Sequence, residues 1–240
     1  MTVLNIHQIF FDFGHHRQLE DIPLFSASYR AFKGMHEWAY RLWDEDSVEQ
    51  LCKARYPDLW DTYQGLKYPI MRVDLAKYMI LDAHGGIYAD LDVLPACHVN
   101  EIVDDRPYLF DRCSRQHVIA NDFCYVGPDG LPGIVEDFLA NVRRVNSIPI
   151  YKKWKMRYVF QLSGPDFWSR YLKKTGLSRY VRAISNRIFP EQGHRNVYVN
   201  RPMLEIHHQL SWRPQLLDED SHDERNTSSS SRVQSYPCAS

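Results

Sequence analysis

The stretch GGIYADLD, Gly85 to Asp92, decides the fold; it closes the longer run YPIMRVDLAKYMILDAHGGIYADLDVLP that starts at Tyr68. Pro69 suits the first turn of a helix, and nothing interrupts that helix until the glycine pair Gly85-Gly86 stops it near His84. Its apolar residues (Ile70, Met71, Val73, Leu75, Met79, Ile80, Leu81) lie nearly all round, so the helix is expected to be largely buried. The run IYADLDV then reads as a strand. Side chains alternate along a strand, so Tyr88, Asp90 and Asp92 are predicted on one face, with Ile87, Ala89 and Leu91 on the other. Two carboxylates on one face are a solvated strand end, a turn, or a pair of hard oxygen ligands for Mg2+ or Mn2+.

The helix supplies the next clue. Arg72, Asp74 and Lys77 are charges inside an otherwise apolar segment, and Asp74 and Lys77, three residues apart, can face each other. Buried charges need partners. A structural ion pair would supply them, and so would the ribose or phosphate of a ligand.

Working outward, Val3 to Phe11 reads as a buried first strand and Trp38 to Trp43 as a second. Asp46 or Ser47 is expected to cap a helix over VEQLCKARY, with Pro57 opening another short one. Val118 to Val126 reads as a strand. Leu131 to Val145 reads as an amphipathic helix, and GPDFWSRYLKK as a helix begun through Gly164-Pro165. Short strands are expected at Val181 to Phe189, Val197 to Val199 and around Leu204. Strands alternating with helices give an α/β domain, placed at residues 1–216. The remainder, 217–240, is acidic and then Ser-rich with almost nothing to bury, and is expected to be a disordered tail.

Composition narrows the function. The 240 residues hold 29 basic and 30 acidic side chains, net charge -1, so there is no global attraction to nucleic acid or to anionic membranes; such a partner would need a local patch. The five cysteines (Cys52, Cys97, Cys113, Cys124, Cys238) lack any CxxC spacing, which argues against a zinc site or a disulfide framework and fits a reducing compartment. No signal peptide is evident, and no apolar run approaches the roughly 20 residues that span a bilayer. A soluble, cytoplasmic protein is the expectation. The sequon at Asn226 has no meaning without secretion.

Several short pieces occur in one order: Ile6-His7-Gln8-Ile9, Arg41-Leu42-Trp43, the Arg72/Asp74/Lys77 helix, Gly85 to Asp92, Asn121-Asp122-Phe123, Ser163-Gly164-Pro165, Phe189-Pro190 and Ser211-Trp212. In this order they resemble the DXD-containing sugar transferases: capsular-polysaccharide glycosyltransferases, the fungal initiating mannosyltransferase and, more remotely, the clostridial glucosylating toxins. The resemblance covers about residues 3–213.

It implies a GT-A fold, a Rossmann-like, mixed but mostly parallel sheet flanked by helices, that binds a nucleotide-sugar donor through Mn2+ or Mg2+. It implies Asp92 as a direct metal ligand and Asp90 as a contact to ribose, sugar and metal. Asp74 would hold the donor sugar, with Arg72 or Lys77 nearby; many relatives have Arg at Lys77, which loses the bidentate fork here. His7, Gln8, Phe10, Tyr88, Gly164, Ser211 and Trp212 complete the implied donor site. Phe10 and Phe11 stand where relatives often have a base-stacking Trp. His208, rather than its neighbour His207, is the favoured late metal ligand.

The implied reaction is transfer with retention from a nucleotide-sugar, a UDP-sugar ahead of GDP-mannose, to a glycan or polysaccharide hydroxyl. No protein nucleophile is evident. A toxin-like enzyme acting on a protein and a non-catalytic sugar- or metal-binding module are the alternatives. A nucleotidyltransferase would want a glycine-rich phosphate loop that the sequence lacks.

Overall fold

The computed structural model describes residues 4–13, 17–112, 118–149, 154–189, 194–196 and 202–207. In chain order, β1 (Asn5–Ile9) leads to α1 (Pro23–Lys33), β2 (Ala39–Trp43), α2 (Glu45–Arg55), α3 (Trp60–Gln64) and α4 (Pro69–His84). Next come β3 (Gly86–Ala89), β4 (Val93–Pro95), α5 (Val99–Val103), β5 (Tyr108–Arg112), β6 (Ile119–Val126) and α6 (Ile134–Asn146). The described chain continues with α7 (Lys155–Leu162), α8 (Pro165–Lys174), β7 (Val181–Arg182), β8 (Ser185–Phe189), β9 (His194–Asn196) and β10 (Leu204–His207).

Six strands form the main sheet in the order β2-β1-β3-β6-β5-β7. β1 runs parallel to both β2 and β3, β6 is antiparallel to β3 and β5, and β7 is parallel to β5. This is the expected mixed, mostly parallel α/β sheet. A second sheet, β4-β10-β8-β9, was not anticipated. Its Val93, Leu204 and Ile206, with Ile184 just before β8, share one core with Ile6, Ile87, Ala89 and Phe123 of the main sheet. Among the described residues no helix is long and apolar enough to cross a membrane.

The helix α4 matches its prediction at both ends, with Pro69 in the first turn and Gly85 beyond His84. It is buried on every side, including Asp74 and Lys77. The glycine pair is sterically required. Gly86 has φ +88°, and a Cβ there would lie 2.3 Å from the Asn5 carbonyl oxygen. Only glycine lets β3 start so close beside β1.

Three expectations need correction. First, β3 ends at Ala89, and Asp90 and Asp92 lie beyond it. The Asp90 N–H donates to the Asp122 carbonyl at 2.8 Å, and the Val93 N–H donates back to the Asp90 carbonyl at 3.1 Å. The alternating pattern continues through the sequence, but that back-bond closes a turn, so strand alternation is not what positions the two carboxylates. Second, α2 is capped by Asp44 rather than Asp46 or Ser47: its carboxylate accepts from the Ser47 N–H at 2.8 Å, and Ser47 hydroxyl reciprocates. Third, Val181 to Phe189 divides into β7 and β8, one in each sheet. The expected strand at 197–199 and the tail from 217 lie outside the described residues.

Candidate active site

The acidic turn leaves the carboxyl end of β3, and α4 packs behind it. Tyr88 points opposite to Ile87 and Ala89, which join the core; its hydroxyl donates to Asp90 Oδ1 at 2.6 Å. Lys77 Nζ lies 3.0 Å from Asp90 Oδ1 and 3.4 Å from Asp74 Oδ1, and sits over the Tyr88 ring. One buried ammonium is therefore shared by two carboxylates. Burial works to lower the Lys77 pKa, but Asp90 and Asp74 outweigh it and hold the ammonium above its ordinary range. The same burial raises the Asp90 carboxyl, against the pull of Lys77 and the Tyr88 hydrogen bond.

Asp74 is satisfied from three sides. Asn121 Nδ2 donates to Oδ1 at 3.0 Å, Ser163 Oγ donates to Oδ2 at 2.9 Å, and Lys77 completes the set. Tyr78 ties these groups together, donating to the Ser163 carbonyl at 2.6 Å and accepting from Asn121 at 3.2 Å. The Ser163-Gly164-Pro165 turn is thus packed onto the helix that carries Asp74 and Lys77. Gly164 fits closely there, since a Cβ would press on the Phe160 Cα at 3.1 Å.

His7 and Gln8 brace this arrangement from below. His7 Nε2 meets the Gly85 carbonyl at 3.1 Å, while Nδ1 accepts from Trp43 Nε1 at 3.2 Å, a neutral tautomer with both nitrogens used. Burial, with His84 and Arg41 nearby, lowers its pKa to about 3. Gln8 donates to Ser28 Oγ at 2.9 Å and accepts from the Tyr40 hydroxyl at 2.8 Å; Ser28 in turn donates to the Val93 carbonyl at 2.6 Å. In this geometry both residues hold the turns at Gly85 and Val93 with side-chain groups already engaged inside the protein.

Phe10 and Arg72 are elsewhere. Phe10 lines a pocket of about 430 Å³ with Phe11, Asp12, Arg17, Asp44 and Glu45. It lies at the carboxyl ends of the parallel strands β1 and β2, where open α/β sheets bind ligands. Arg72 does not join the Lys77 cluster; it pairs at 3.2 Å with Glu45, a wall residue of this pocket. Asp92 is half-buried in the turn, and its carbonyl accepts from the His207 N–H at 2.9 Å, which brings β10 alongside. His207 itself faces Glu205 at 3.8 Å. His208, Ser211 and Trp212 lie outside the described residues.

Sequence reasoning missed a second buried group. Arg187 on β8 is fully buried and forks onto Asp122, with Nη1 to Oδ2 at 2.5 Å and Nη2 to Oδ1 at 3.2 Å, and reaches Asp111 at 3.0 Å. Asp111 also accepts from Ser185 Oγ and from the Ile184 N–H at 3.1 Å. The only available signal was the charges in two short strands, Asp111 and Arg112 in YLFDR and Arg187 in SNRIF. Asp122 and Asp90 each help to raise the other groups around them, so the two clusters are electrostatically one.

Charge counting tests whether a divalent cation fits. Among the described residues Asp74 and Asp90 share Lys77, and Asp111 and Asp122 share Arg187, four carboxylates to two cations, with Asp92 in the same turn as Asp90. No group of three or more His, Cys, Asp or Glu side chains converges as a ready-made ligand cage among the described residues. The hard oxygens of Asp90 and Asp92 and the surplus negative charge suit Mg2+ or Mn2+, which keep waters and take the rest of their shell from a phosphate.

The sheet order, the acidic turn ending β3 and the charged helix behind it define a glycosyltransferase fold of the GT-A type. Residues 26–109, which contain α4 and the acidic turn, match the family described as the glycosyltransferase sugar-binding region containing a DXD motif. The chain is 41% identical over 150 residues to mannosyl phosphorylinositol ceramide synthase CSH1 of Saccharomyces cerevisiae, covering 56% of this chain and 35% of that protein. It is 39% identical over 57 residues to inositol phosphoceramide mannosyltransferase 3 of Schizosaccharomyces pombe, covering 24% of this chain and 16% of that one. It therefore spans about a third or less of these relatives. In fold it is similar to the PaToxG glycosyltransferase, with a TM-score of 0.50 at 14% identity over 72% of this chain and 70% of that one. The resemblance to the DXD-containing sugar transferases is borne out, with the family match falling on residues 26–109.

Proposed function

We propose that the chain is the donor-binding and catalytic part of a divalent-metal-dependent hexosyltransferase, acting on a nucleoside-diphosphate sugar. The observation that carries this reading is Lys77, buried and shared between Asp74 and Asp90 at the end of β3. Asp90 and Asp92, with His208, would hold the cation; when bound, it neutralises the charge that grows on the leaving diphosphate. Lys77 adds fixed positive charge to that end of the donor. Asp74, locked by Asn121 and Ser163, keeps Lys77 in place and offers its carboxylate edge to sugar hydroxyls. Ser211 and Trp212 are assigned to the diphosphate, and Phe10 with its pocket to the base.

The two fungal relatives are named as a mannosyl phosphorylinositol ceramide synthase and an inositol phosphoceramide mannosyltransferase, so a mannosyl donor and an inositol-phospholipid or glycan hydroxyl come first. UDP-sugars stay in the panel beside GDP-mannose. Retention of configuration is part of the same proposal, as is a catalytic unit of residues 1–216 that keeps its activity without 217–240.

The test is a nucleotide-sugar panel with Mn2+, read as slow donor hydrolysis and as thermal stabilisation. One donor is expected to stand out, and Asp92→Ala is expected to abolish both readouts. A panel in which no donor acts, or an Asp92→Ala protein indistinguishable from wild type, refutes the reading. Full activity in EDTA removes the metal and leaves the transferase.

A further inference from the structure

The net charge of the chain is -1, yet residues 138–165 contain six cations (Arg143, Arg144, Lys152, Lys153, Lys155, Arg157) and no acidic residue. This stretch is also where the protein exposes large apolar groups. Among the described residues three large hydrophobic side chains stand out as exposed, and two of them are here, Trp154 at 50% and Met156 at 37%. They open α7 beside exposed Arg157 and half-buried Lys155. Two neighbours extend the patch. The Tyr158 hydroxyl donates to Asn146 at 2.9 Å, which seats the last turn of α6, with exposed Arg143, against it. The Tyr158 ring also contacts Tyr68, which follows exposed Lys67. No acidic residue occurs between Asp61 and Asp74 on that side either.

An exposed Trp and Met among cations is costly in water and suited to one environment. At a bilayer surface the indole sits at headgroup level, the thioether reaches the acyl boundary, and Lys and Arg meet anionic headgroups. We infer that this shoulder, Trp154 and Met156 ringed by Lys67, Arg143, Lys155 and Arg157, docks the protein onto a membrane carrying anionic phospholipid. The topology gives the docking a use. α7 is flanked by Trp154 at its start and by Ser163 at its end, and the Ser163 hydroxyl donates to Asp74. Eight helical residues are about 12 Å long. A lipid-borne hydroxyl held at the shoulder would therefore lie one short helix from the donor cluster.

The test uses the full chain without donor or metal, so it stands or falls separately from the transferase reading. Protein is co-sedimented with phosphatidylcholine vesicles and with vesicles in which about one-third of the lipid is phosphatidylinositol. Wild type is expected to bind the anionic vesicles at least ~10-fold better, and to be released by raising salt. Lys155→Glu with Arg157→Glu should abolish the preference, and Trp154→Ser with Met156→Ser should weaken binding to both vesicle types. Neither pair touches the donor cluster, and unchanged melting temperatures verify the fold. Equal binding to neutral and anionic vesicles, or no effect of charge reversal, overturns the inference. So does capture by a single-stranded oligonucleotide in place of vesicles, or self-association that Trp154→Ser abolishes without any vesicle binding.

Discussion

His7 illustrates how a residue can be recognised from sequence while the contacts that hold it stay hidden. Its place in Ile6-His7-Gln8-Ile9 was legible, but the sequence holds no sign that both ring nitrogens are used by Trp43 and Gly85. Those partners lie 36 and 78 residues away. The consequence is a pH dependence of stability. The folded protein depresses the His7 pKa from 6.5 to about 3, so the unfolded chain takes up a proton that the native state refuses. The stability from neutral His7 is complete above the unfolded value and is lost as pH falls toward 3. Between about pH 7.5 and about pH 5 the loss should be about 2 kcal/mol, measured by urea denaturation at each pH. In His7→Gln, which has no proton to gain, that component of the slope should vanish. A wild-type slope that survives the substitution unchanged would assign it to other groups.

At the level of elements, what could be read depended on whether the determinants are local. The helix α4 was legible at both ends because Pro69 and Gly85 are local signals, and its buried Asp74 and Lys77 were legible because three residues is a helical spacing. The acidic turn was misread because the alternation of Asp90-Leu91-Asp92-Val93 imitates a strand, while the Val93 N–H bonds back to the Asp90 carbonyl to close a turn that Asp122 anchors from across the sheet. The second sheet was invisible for the same reason. Its link to the main sheet is Arg187, 65 residues from Asp122 and 76 from Asp111. Burial raises the Asp111 carboxyl and Arg187 opposes that rise. Removing the cation alone leaves two carboxylates buried without it. Arg187→Met should therefore cost about 3–5 kcal/mol in chemical denaturation, the range for breaking a buried ion pair from one side. The triple change Arg187→Met, Asp111→Leu, Asp122→Leu should recover a large part of that loss, because it removes the stranded charge together with its partner. A triple variant as unstable as the single one would show that packing, not charge, dominates at this junction.

For the whole molecule, the two sheets share one core and the two ionic clusters are coupled through Asp122, so ligand binding at the acidic turn should be felt in global unfolding. Four carboxylates against two cations, Lys77 and Arg187, leave the described clusters with surplus negative charge, and the raised Asp90 pKa is part of the cost. A divalent cation that binds only the folded state lowers that cost and stabilises by mass action, about 2.7 kcal/mol at one hundred times its dissociation constant. Mn2+ should raise the melting temperature of the full chain, EDTA should reverse it, and a nucleoside diphosphate added with Mn2+ should raise it further because phosphate oxygens complete the shell. The unliganded protein offers the opposite test. Replacing Asp90 by Asn removes a penalised charge but also the partner of Lys77, so its melting temperature without metal should change in either direction by only a few degrees. Its response to Mn2+ should nevertheless disappear, together with that of Asp92→Asn. A melting temperature that rises with Mn2+ equally in wild type and both variants would place the cation elsewhere on the molecule. The acidic turn would then be left as a structural junction whose surplus charge is tolerated rather than used.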